Sequence, residues 1–238
     1  ARVQTVSHRD ALAGDGDRNG DGDGRIFALV DDMTERRHTD GLLATRTRQQ
    51  SALAQFSQEA LAGRDVPSLM QRACELVANA LDVEYAKVLQ LLPGGDDLLL
   101  KAGVGWEAGV VGHAILGADA DTQAGHTLTS GELVVVTDLA KETRFRSPQL
   151  LLDHNIVGGM SVAIAGADRG DVPYGVLGIH TTTPRSFSSD DAGFLRTFAI
   201  YVTTAIIRAR REAEIEELNA RLEARVGERT RELHDANE

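Results

Sequence analysis

The sequence predicts an α+β protein: a mostly antiparallel sheet with helices packed on one face, followed by one very long C-terminal helix. Three observations lead to this prediction. Apolar residues recur at helical spacing over residues 66–81, strand-like runs separated by turn residues follow between residues 84 and 181, and helix formers dominate from about residue 189 onward. Helices and strands thus fall in separate blocks, as α+β architectures require.

Composition restricts the class of protein further. The chain has 238 residues with 36 acidic and 25 basic side chains, and this acidic excess without a basic patch argues against a nucleic-acid partner. Its longest apolar stretch, residues 198–207, is far shorter than the roughly 20 residues that span a bilayer. The first residues lack the apolar core of a secretory signal. We therefore expect a cytoplasmic protein without membrane contact.

Residues 1–37 differ from the rest in composition. Two strand-like runs, 1–9 and 25–31, flank the acidic, glycine-rich run AGDGDRNGDGDG, which predicts a long hairpin loop. This loop approaches a calcium-binding EF-hand loop from Asp15 onward, but Ile26 occupies the twelfth position, where a bidentate Glu is needed. The mismatch favours a solvated loop over a calcium site.

Two helices follow this region. The first, residues 39–62, has an incomplete apolar stripe, and Gly63 can end it. The second, residues 66–81, carries eight apolar residues on one face: Val66, Leu69, Met70, Ala73, Leu76, Val77, Ala80 and Leu81. Cys74 lies at the flank of this stripe with no base nearby, so we expect it to pack without chemistry. A single cysteine also excludes an internal disulfide and a cysteine-based zinc cluster.

The strand block begins with a hairpin, residues 84–92 and 98–105, around the turn PGGDD. From Gly105 to Leu128 the sequence is rich in glycine and shows no sustained period, so we predict a loop with short helical turns. The remaining elements are a buried strand, a short helix and a second hairpin, over residues 132–138, 147–155, 158–166 and 173–181.

The last helix is predicted to begin after Ser188, because Ser188 and Asp191 have the spacing of a capping box. Toward its end, a narrow apolar seam lies among alternating charges. One helix alone cannot bury such a seam, so it predicts a partner helix, most simply from a second copy of the chain. A solvated single helix is the alternative. The seam consists of Ile215, Leu218, Leu222, Val226 and Leu233.

Three segments resemble a known family. TQAGHTLTSGELVVVTDLAKETRF, LLLDHNIVGGMSVAI and PYGVLGIHTTTPRSFSSDDAGFLRTFA occur in the order found in GAF domains, and the resemblance extends over about residues 50–207. It implies a six-stranded antiparallel sheet, a small-molecule pocket under the irregular middle segment and a sensory role in a signalling protein. The single cysteine does not fit the methionine sulfoxide reductases of this fold, which need several.

Two flanking segments resemble other parts of signalling proteins. Asp32 and Thr34 in DDMTERR resemble the exit of a PAS domain, and the last residues resemble the coiled linker that precedes the dimerisation helices of sensor histidine kinases. These resemblances imply four parts: a PAS hairpin, a linker helix, the GAF domain and a signalling coiled coil. Their bounds are 1–37, 38–64, 65–207 and 208–238.

The resemblance implies a sensory module that pairs as a homodimer through its N- and C-terminal helices and relays ligand binding to a histidine kinase. It names neither the small molecule nor any cofactor. Two alternatives stay open: a ligand-free dimerisation and relay spacer, and a chromophore- or haem-binding light or gas sensor.

Six residues are candidate ligand contacts: Trp106, His126, Asp138, Arg144, His154 and Met160. Trp106 can stack on a planar ligand or simply close the core. Arg144 can bind an anionic group, but we favour an ion pair with Asp138, which can also cap the turn after it. His180 is expected to be a core or pocket-wall residue. No metal-ligand spacing and no catalytic constellation occur, so we predict neither a metal site nor enzyme activity for this chain.

Overall fold

The structure, a computed structural model, describes residues 43–166 and 172–235, with side chains up to residue 232. Residues from Ala44 onward belong to one compact unit. The predicted PAS hairpin and the acidic loop, residues 1–37, lie outside the described residues, as does the side chain of Leu233.

The described residues contain five α-helices and six strands. Helix α1 covers residues 43–61. The other helices are α2 (Val66–Leu81), α3 (Gln123–Ser130), α4 (Gln149–Asp153) and α5 (Ser189–Asp235), with a 3₁₀ turn at Leu139–Lys141. The strands are β1 (Tyr85–Leu91), β2 (Asp97–Val104), β3 (Ile115–Gly117), β4 (Val134–Val136), β5 (Gly158–Ile164) and β6 (Gly175–Thr181).

The six strands form one sheet in the order β3-β2-β1-β6-β5-β4, and every neighbouring pair is antiparallel. The predicted α+β class, with its six-stranded sheet and long last helix, is confirmed. Because β1 pairs with β6, the first and last strands of the domain lie side by side at the centre of the sheet.

Helices α1, α2 and α5 cover one face of the sheet. Helix α2 packs against β1 and β2, and α5 packs against α2 and β5. The core between these helices and the sheet includes Met70, Leu177, Ile179 and Phe198. The Phe56 ring of α1 lies 5.0 Å from the Phe198 ring of α5, centroid to centroid. We call this core, between the helices and the sheet, the helix-side core. It is almost entirely apolar, and α1, α2 and α5 all contribute side chains to it.

Two helix starts follow the expected side-chain chemistry. The Asp65 carboxylate accepts a hydrogen bond from the Ser68 amide at 2.7 Å, which caps α2. At the start of α5, the Asp191 amide donates to Ser188 Oγ at 3.1 Å, and the Ser188 amide donates to the Asp191 carboxylate at 3.0 Å. The predicted capping box is thus confirmed in both of its hydrogen bonds.

The irregular middle segment contains more structure than the sequence predicts. Strand β3 lies within it, and α3 begins before its end. Strand β3 has only three residues, which pair with Asp97–Leu99 of β2. Three residues are too few to show a periodic pattern in the sequence. Strand β3 is stabilised by hydrogen bonds to a strand that is distant in sequence.

Helix α5 has 47 residues and extends well past the sheet. Ile206 is the last buried residue on it, and Leu218, Leu222 and Val226 of the seam are each about half exposed or more. No helix in the described part of the chain is both long and apolar enough to cross a membrane.

Cys74 is fully buried in the helix-side core, where burial raises the pKa of its thiol. We therefore expect the folded chain not to react with iodoacetamide at pH 8, because only the thiolate is nucleophilic. Intact-protein mass spectrometry should detect the adduct only after unfolding in guanidinium chloride. Labelling of the native chain as fast as that of the unfolded chain would contradict this placement.

Candidate functional site

The sheet face opposite α2 and α5 carries a group of buried polar side chains, whereas the helix-side core is apolar. Helices α3 and α4 and the segment between β2 and α3 cover this face. Its buried polar residues come from three strands and two helical segments: Lys87, Gln123, Thr127, His154, Ser161 and His180. We refer to these six residues as the polar cluster.

Strand pairing brings Lys87 and His180 together. In the register, Lys87 of β1 lies opposite Gly178 of β6, and His180 lies opposite Gly159 of β5. Both glycines leave room for these side chains: a Cβ on Gly178 would lie 3.3 Å from Lys87 Cε, and one on Gly159 would lie 2.6 Å from His180 Nδ1. The Lys87 and His180 side chains thus lie over glycine positions of the neighbouring strands, where no other side chain competes for the space.

Trp106 is the centre of an aromatic group beside the polar cluster. Its ring centroid lies 5.0 Å from that of His154, 5.1 Å from Tyr85 and 6.3 Å from His180. The indole N–H donates to the Ala86 carbonyl at 2.8 Å, which fixes the ring over the sheet. Lys87 Nζ lies 5.6 Å from the ring centroid, within range of a cation–π interaction.

Helix α3 is attached to the same face by hydroxyl groups. The Thr127 and Ser161 hydroxyl oxygens lie 2.7 Å apart, and the Gln123 amide nitrogen donates to Ser161 Oγ at 3.3 Å. The side-chain amide oxygen of Gln123, Oε1, is buried and has no hydrogen-bond partner within the described residues. Since buried polar atoms usually have partners, this oxygen can accept a hydrogen bond from a bound molecule.

Burial controls the charge of the cluster. It lowers the pKa of Lys87 to about 7, so the side chain exchanges between ammonium and amine near neutral pH. Burial, together with repulsion from Lys87, holds the pKa of His180 well below its ordinary value, so His180 is neutral. Neither of its ring nitrogens has a hydrogen-bond partner within the described residues.

His154 is held in one tautomer by the backbone. Its Nδ1 lies 2.8 Å from the Leu150 carbonyl oxygen, which can only accept, so Nδ1 carries the proton. The other nitrogen, Nε2, is then an acceptor, and it is buried without a partner in the described part of the chain. His154 therefore offers an acceptor on the same face as Trp106.

A cavity of about 240 Å³ adjoins the polar cluster between β1, β3, α3 and α4. Among the described residues that line it, Lys87 is the only one with an ionisable side chain. The other lining residues are mainly apolar or helix-terminal, and they are Ile115, Leu116, Gly117, Thr122, Gln123, Ala124, Pro148, Gln149 and Leu150. A small apolar cavity with a few convergent polar groups is the usual form of a ligand site.

The structure brings only two of the six sequence-predicted contacts to this face, Trp106 and His154. His126 is half-buried and lies against the Phe145 ring, 5.6 Å between centroids. Met160 is fully buried in the helix-side core, because its neighbours Gly159 and Ser161 occupy the other face of β5. Met160 therefore does not face the cavity.

The expected pair between Asp138 and Arg144 is not formed. Asp138 does cap the 3₁₀ turn, accepting from the Ala140 amide at 3.0 Å, but its ion-pair partner is Lys141 at 2.9 Å. Arg144 pairs with Glu142 at 2.6 Å and donates to the Val135 carbonyl at 2.7 Å. Glu142 is two residues away in sequence, so the nearer carboxylate replaces the predicted one.

Arg144→Ala is expected to lower the free energy of unfolding by about 1–3 kcal/mol, because it leaves the Glu142 carboxylate, whose side chain is only 9% exposed, without its ion-pair partner and removes the hydrogen bond to the Val135 carbonyl. Ligand binding at the cavity should not change. Urea denaturation monitored by circular dichroism measures the first quantity, and Lys141→Ala, which breaks the more exposed ion pair with Asp138, is the control with the smaller expected loss. A much larger loss for Arg144→Ala alone would show that Arg144 has a role beyond this turn.

Sequence reasoning missed Lys87, Gln123 and Ser161. For Lys87 a signal was present: it is a lone charged residue in a strand whose neighbours Ala86 and Val88 are apolar and fully buried. A charge at such a position either points outward or has a function inside. Which of the two applies depends on what covers that face of the sheet. Gln123 and Ser161 carry no comparable signal.

Comparisons with known proteins agree with this architecture. Residues 65–206 match the family model of the GAF domain, whereas no curated protein matches the chain.

Several solved structures share the fold. The GAF domain of a phosphoenolpyruvate-protein phosphotransferase from Coxiella burnetii is 18% identical, with a TM-score of 0.62 over 71% of this chain and 98% of that chain. Free methionine-R-sulfoxide reductase from Neisseria meningitidis is 16% identical, with a TM-score of 0.58 over 69% of this chain and 91% of that chain. The phycoerythrobilin-bound GAF domain of a cyanobacterial phytochrome is 17% identical, with a TM-score of 0.56 over 69% of this chain and 97% of that chain. At these identities the similarity establishes the fold alone.

Proposed function

Because the chain belongs to the GAF domain family, whose members are sensory and regulatory modules of signalling proteins, we propose that it binds a small molecule and relays its binding state. The ligand site is the cavity beside Lys87. The observation that carries this proposal is the polar cluster, of which Lys87 and Gln123 line the cavity. The buried Gln123 Oε1, together with His154 Nε2 and both His180 ring nitrogens beside the cavity, has no partner within the described residues. Burying polar atoms in this way costs stability unless a ligand or water satisfies them.

A physical connection from this face to the helices supports the relay. Trp106 lies over Gly103, whose backbone exchanges two hydrogen bonds with the Gln71 side chain of α2, at 3.2 and 3.3 Å. Helix α2 packs in turn against α5 in the helix-side core. A ligand that moves Trp106 would therefore act on a helix that contacts α5, and such small shifts can bias packed elements between two arrangements.

The proposed output lies beyond α5, and the resemblance to signalling linkers in residues 208–238 supports a histidine kinase as that output. The proposed arrangement is a parallel homodimer, paired through α1 and the seam of α5. Exposed Leu61 and Ile200 on the domain, together with exposed Leu218 and Leu222 on the seam, support this pairing.

The test of ligand binding uses the purified full chain. Native mass spectrometry, followed by denaturation and small-molecule analysis, should find a bound compound that is released on unfolding. An ultraviolet–visible spectrum of the same sample separates the alternatives, because a haem or bilin absorbs in the visible range. Cys74, the only cysteine, lies in the opposite core, so a bilin would have no thiol at this cavity. A chain that carries no compound and binds none would support the ligand-free spacer.

Leu218→Asp combined with Leu222→Asp is expected to convert the dimer to a monomer, because both charges would be buried at the seam without partners. Multi-angle light scattering measures the mass. The control is Glu216→Asp combined with Glu223→Asp, which leaves the seam intact. A monomeric unmutated chain, or a double Leu→Asp variant that remains dimeric, would contradict pairing through the seam.

A further inference from the structure

Lys87 is a buried cation with no counter-ion. Its side chain is 3% exposed, it lines the cavity, and the Trp106 ring is the one interaction partner of its ammonium within the described residues. Burial alone lowers its pKa, with no contribution from a nearby carboxylate. Removing an ammonium from water is costly, and a cation–π contact offsets only part of that cost.

The N-terminus of α3 lies at the same cavity. Thr122 is the N-cap, and its side chain accepts from the Gly125 amide, so the third amide of the helix is satisfied. The amides of Gln123 and Ala124 have no intrahelical acceptor, and both residues line the cavity. The Gln123 amide is directed at the Arg146 carbonyl by the parallel bridge between Thr122 and Arg146, so the Ala124 amide is the one left for a ligand. The unpaired amides at a helix start are equivalent to roughly half a positive charge and favour an anion.

These two observations are independent, because one concerns a strand side chain and the other a helix terminus. None of the described residues that line the cavity is acidic, although the carboxylate of Asp119 lies beside it, 3.1 Å from where a Cβ on the lining residue Gly117 would be. We propose that the cavity binds a small organic anion whose carboxylate is held between the Lys87 ammonium and the Ala124 amide at the start of α3. This inference rests on the proposed sensory function and names the chemical class of its ligand.

The volume limits the size of that anion. At about 30 Å³ of liquid volume per water molecule, the cavity of about 240 Å³ corresponds to about eight waters. This lies below the range of about 300–1,000 Å³ for drug-sized ligands. A carboxylate that fits inside the cavity is therefore compact, and a hydroxyl or amine on the same molecule would donate to Gln123 Oε1, which lacks a partner among the described residues. Its charge would favour the ammonium form of Lys87 and offset the cost of burying it.

The test is a titration of the isotope-labelled full chain with acetate and pyruvate, monitored by amide NMR at constant ionic strength. Acetamide, a neutral isostere of acetate, is the ligand control. Lys87→Met removes the charge but keeps the side-chain length. Lys101→Met is the matched protein control, since Lys101 is a strand lysine that does not line the cavity.

We expect both carboxylates to shift the amides of Gln123 and Ala124 and those next to Lys87. The dissociation constant should rise at least about tenfold in Lys87→Met and for acetamide, and stay unchanged in Lys101→Met. If acetamide binds as tightly as acetate, or Lys87→Met binds acetate normally, the cavity accepts small molecules but the inference of an anion is wrong. The anion inference is also wrong if neither carboxylate shifts these amides up to about 100 mM, well above the millimolar constants of weak specific sites. The search for a co-purified compound would still test the proposed function separately.

Discussion

Replacing Lys87 with methionine is expected to raise the free energy of unfolding at pH 7 by about 1–4 kcal/mol, the range seen when buried ionic groups are exchanged for apolar ones of similar size. Lys87 is 3% exposed and has no counter-ion within the described residues. Methionine keeps most of the packing of the lysine stem and needs no proton. Thermal and urea unfolding of the full chain, with no added carboxylate, measure the change.

The pH dependence of this gain follows from the pKa of Lys87, which is about 7 in the folded chain, against an ordinary lysine value of 10.5 in the unfolded chain. Between these values the unfolded chain binds the proton that the folded chain has lost, so the stability of the unmutated chain rises with pH. The advantage of Lys87→Met should shrink by up to about 1.4 kcal/mol per pH unit above pH 7. His180, the titratable group that faces Lys87, is neutral in the folded chain throughout this window.

The matched control is Lys101→Met, whose effect should stay within about 0.5 kcal/mol and show no such slope. If Lys87→Met is less stable than the unmutated chain at pH 7, or its gain is independent of pH, the ammonium is not buried as described. If replacing Lys87 does stabilise the chain, the lysine is present at the expense of stability, which is typical of binding residues.

Gly159→Ala is expected to lower the free energy of unfolding by about 3 kcal/mol, at the upper end of the usual cost of overpacking a core. An added Cβ would lie 2.1 Å from the Ile179 carbonyl oxygen and 2.6 Å from His180 Nδ1. The carbonyl belongs to the backbone of β6 and cannot rotate away, so β5 and β6 must separate. The imidazole of His180 would lose the space above Gly159 at the same time.

The control for this variant is Gly193→Ala in α5, where no atom lies within 4 Å of the added Cβ. This substitution should raise stability by about 0.5–1 kcal/mol, because alanine is the better helix former. Urea denaturation of both variants gives the comparison. Equal effects of the two substitutions would show that the close approach of β5 to β6 at Gly159 is not present in solution.

Most of the fold could be predicted because its signals are local. The stripe of residues 66–81, the turn PGGDD and the Ser188–Asp191 capping box each depend on residues close together in sequence, and each appears in the structure. Strand β3 could not be predicted, since three residues have no period and are ordered only by the edge of β2.

The site was only partly predictable because it depends on which strands become neighbours. Trp106 and His154 lie on the sheet face beside the cavity, although neither lines it, whereas Met160 lies on the other face of β5. Alternation divides a strand into two faces, but it does not say which face receives α2 and α5 and which receives α3. A pairing between Asp138 and Arg144 was likewise plausible from sequence, but a nearer carboxylate, Glu142, took the guanidinium.

The sequence by itself determined the α+β class and most of the secondary structure, and it predicts an apolar seam that a partner helix would cover. Only the tertiary structure decided that Lys87 is a buried cation. That outcome requires β1 to pair with β6, so that Lys87 lies over Gly178 and beside His180, and it requires α3 to cover the same face. These contacts join residues far apart in the chain, and hydrophobic periodicity records only the burial of each residue, not the identity of its neighbour.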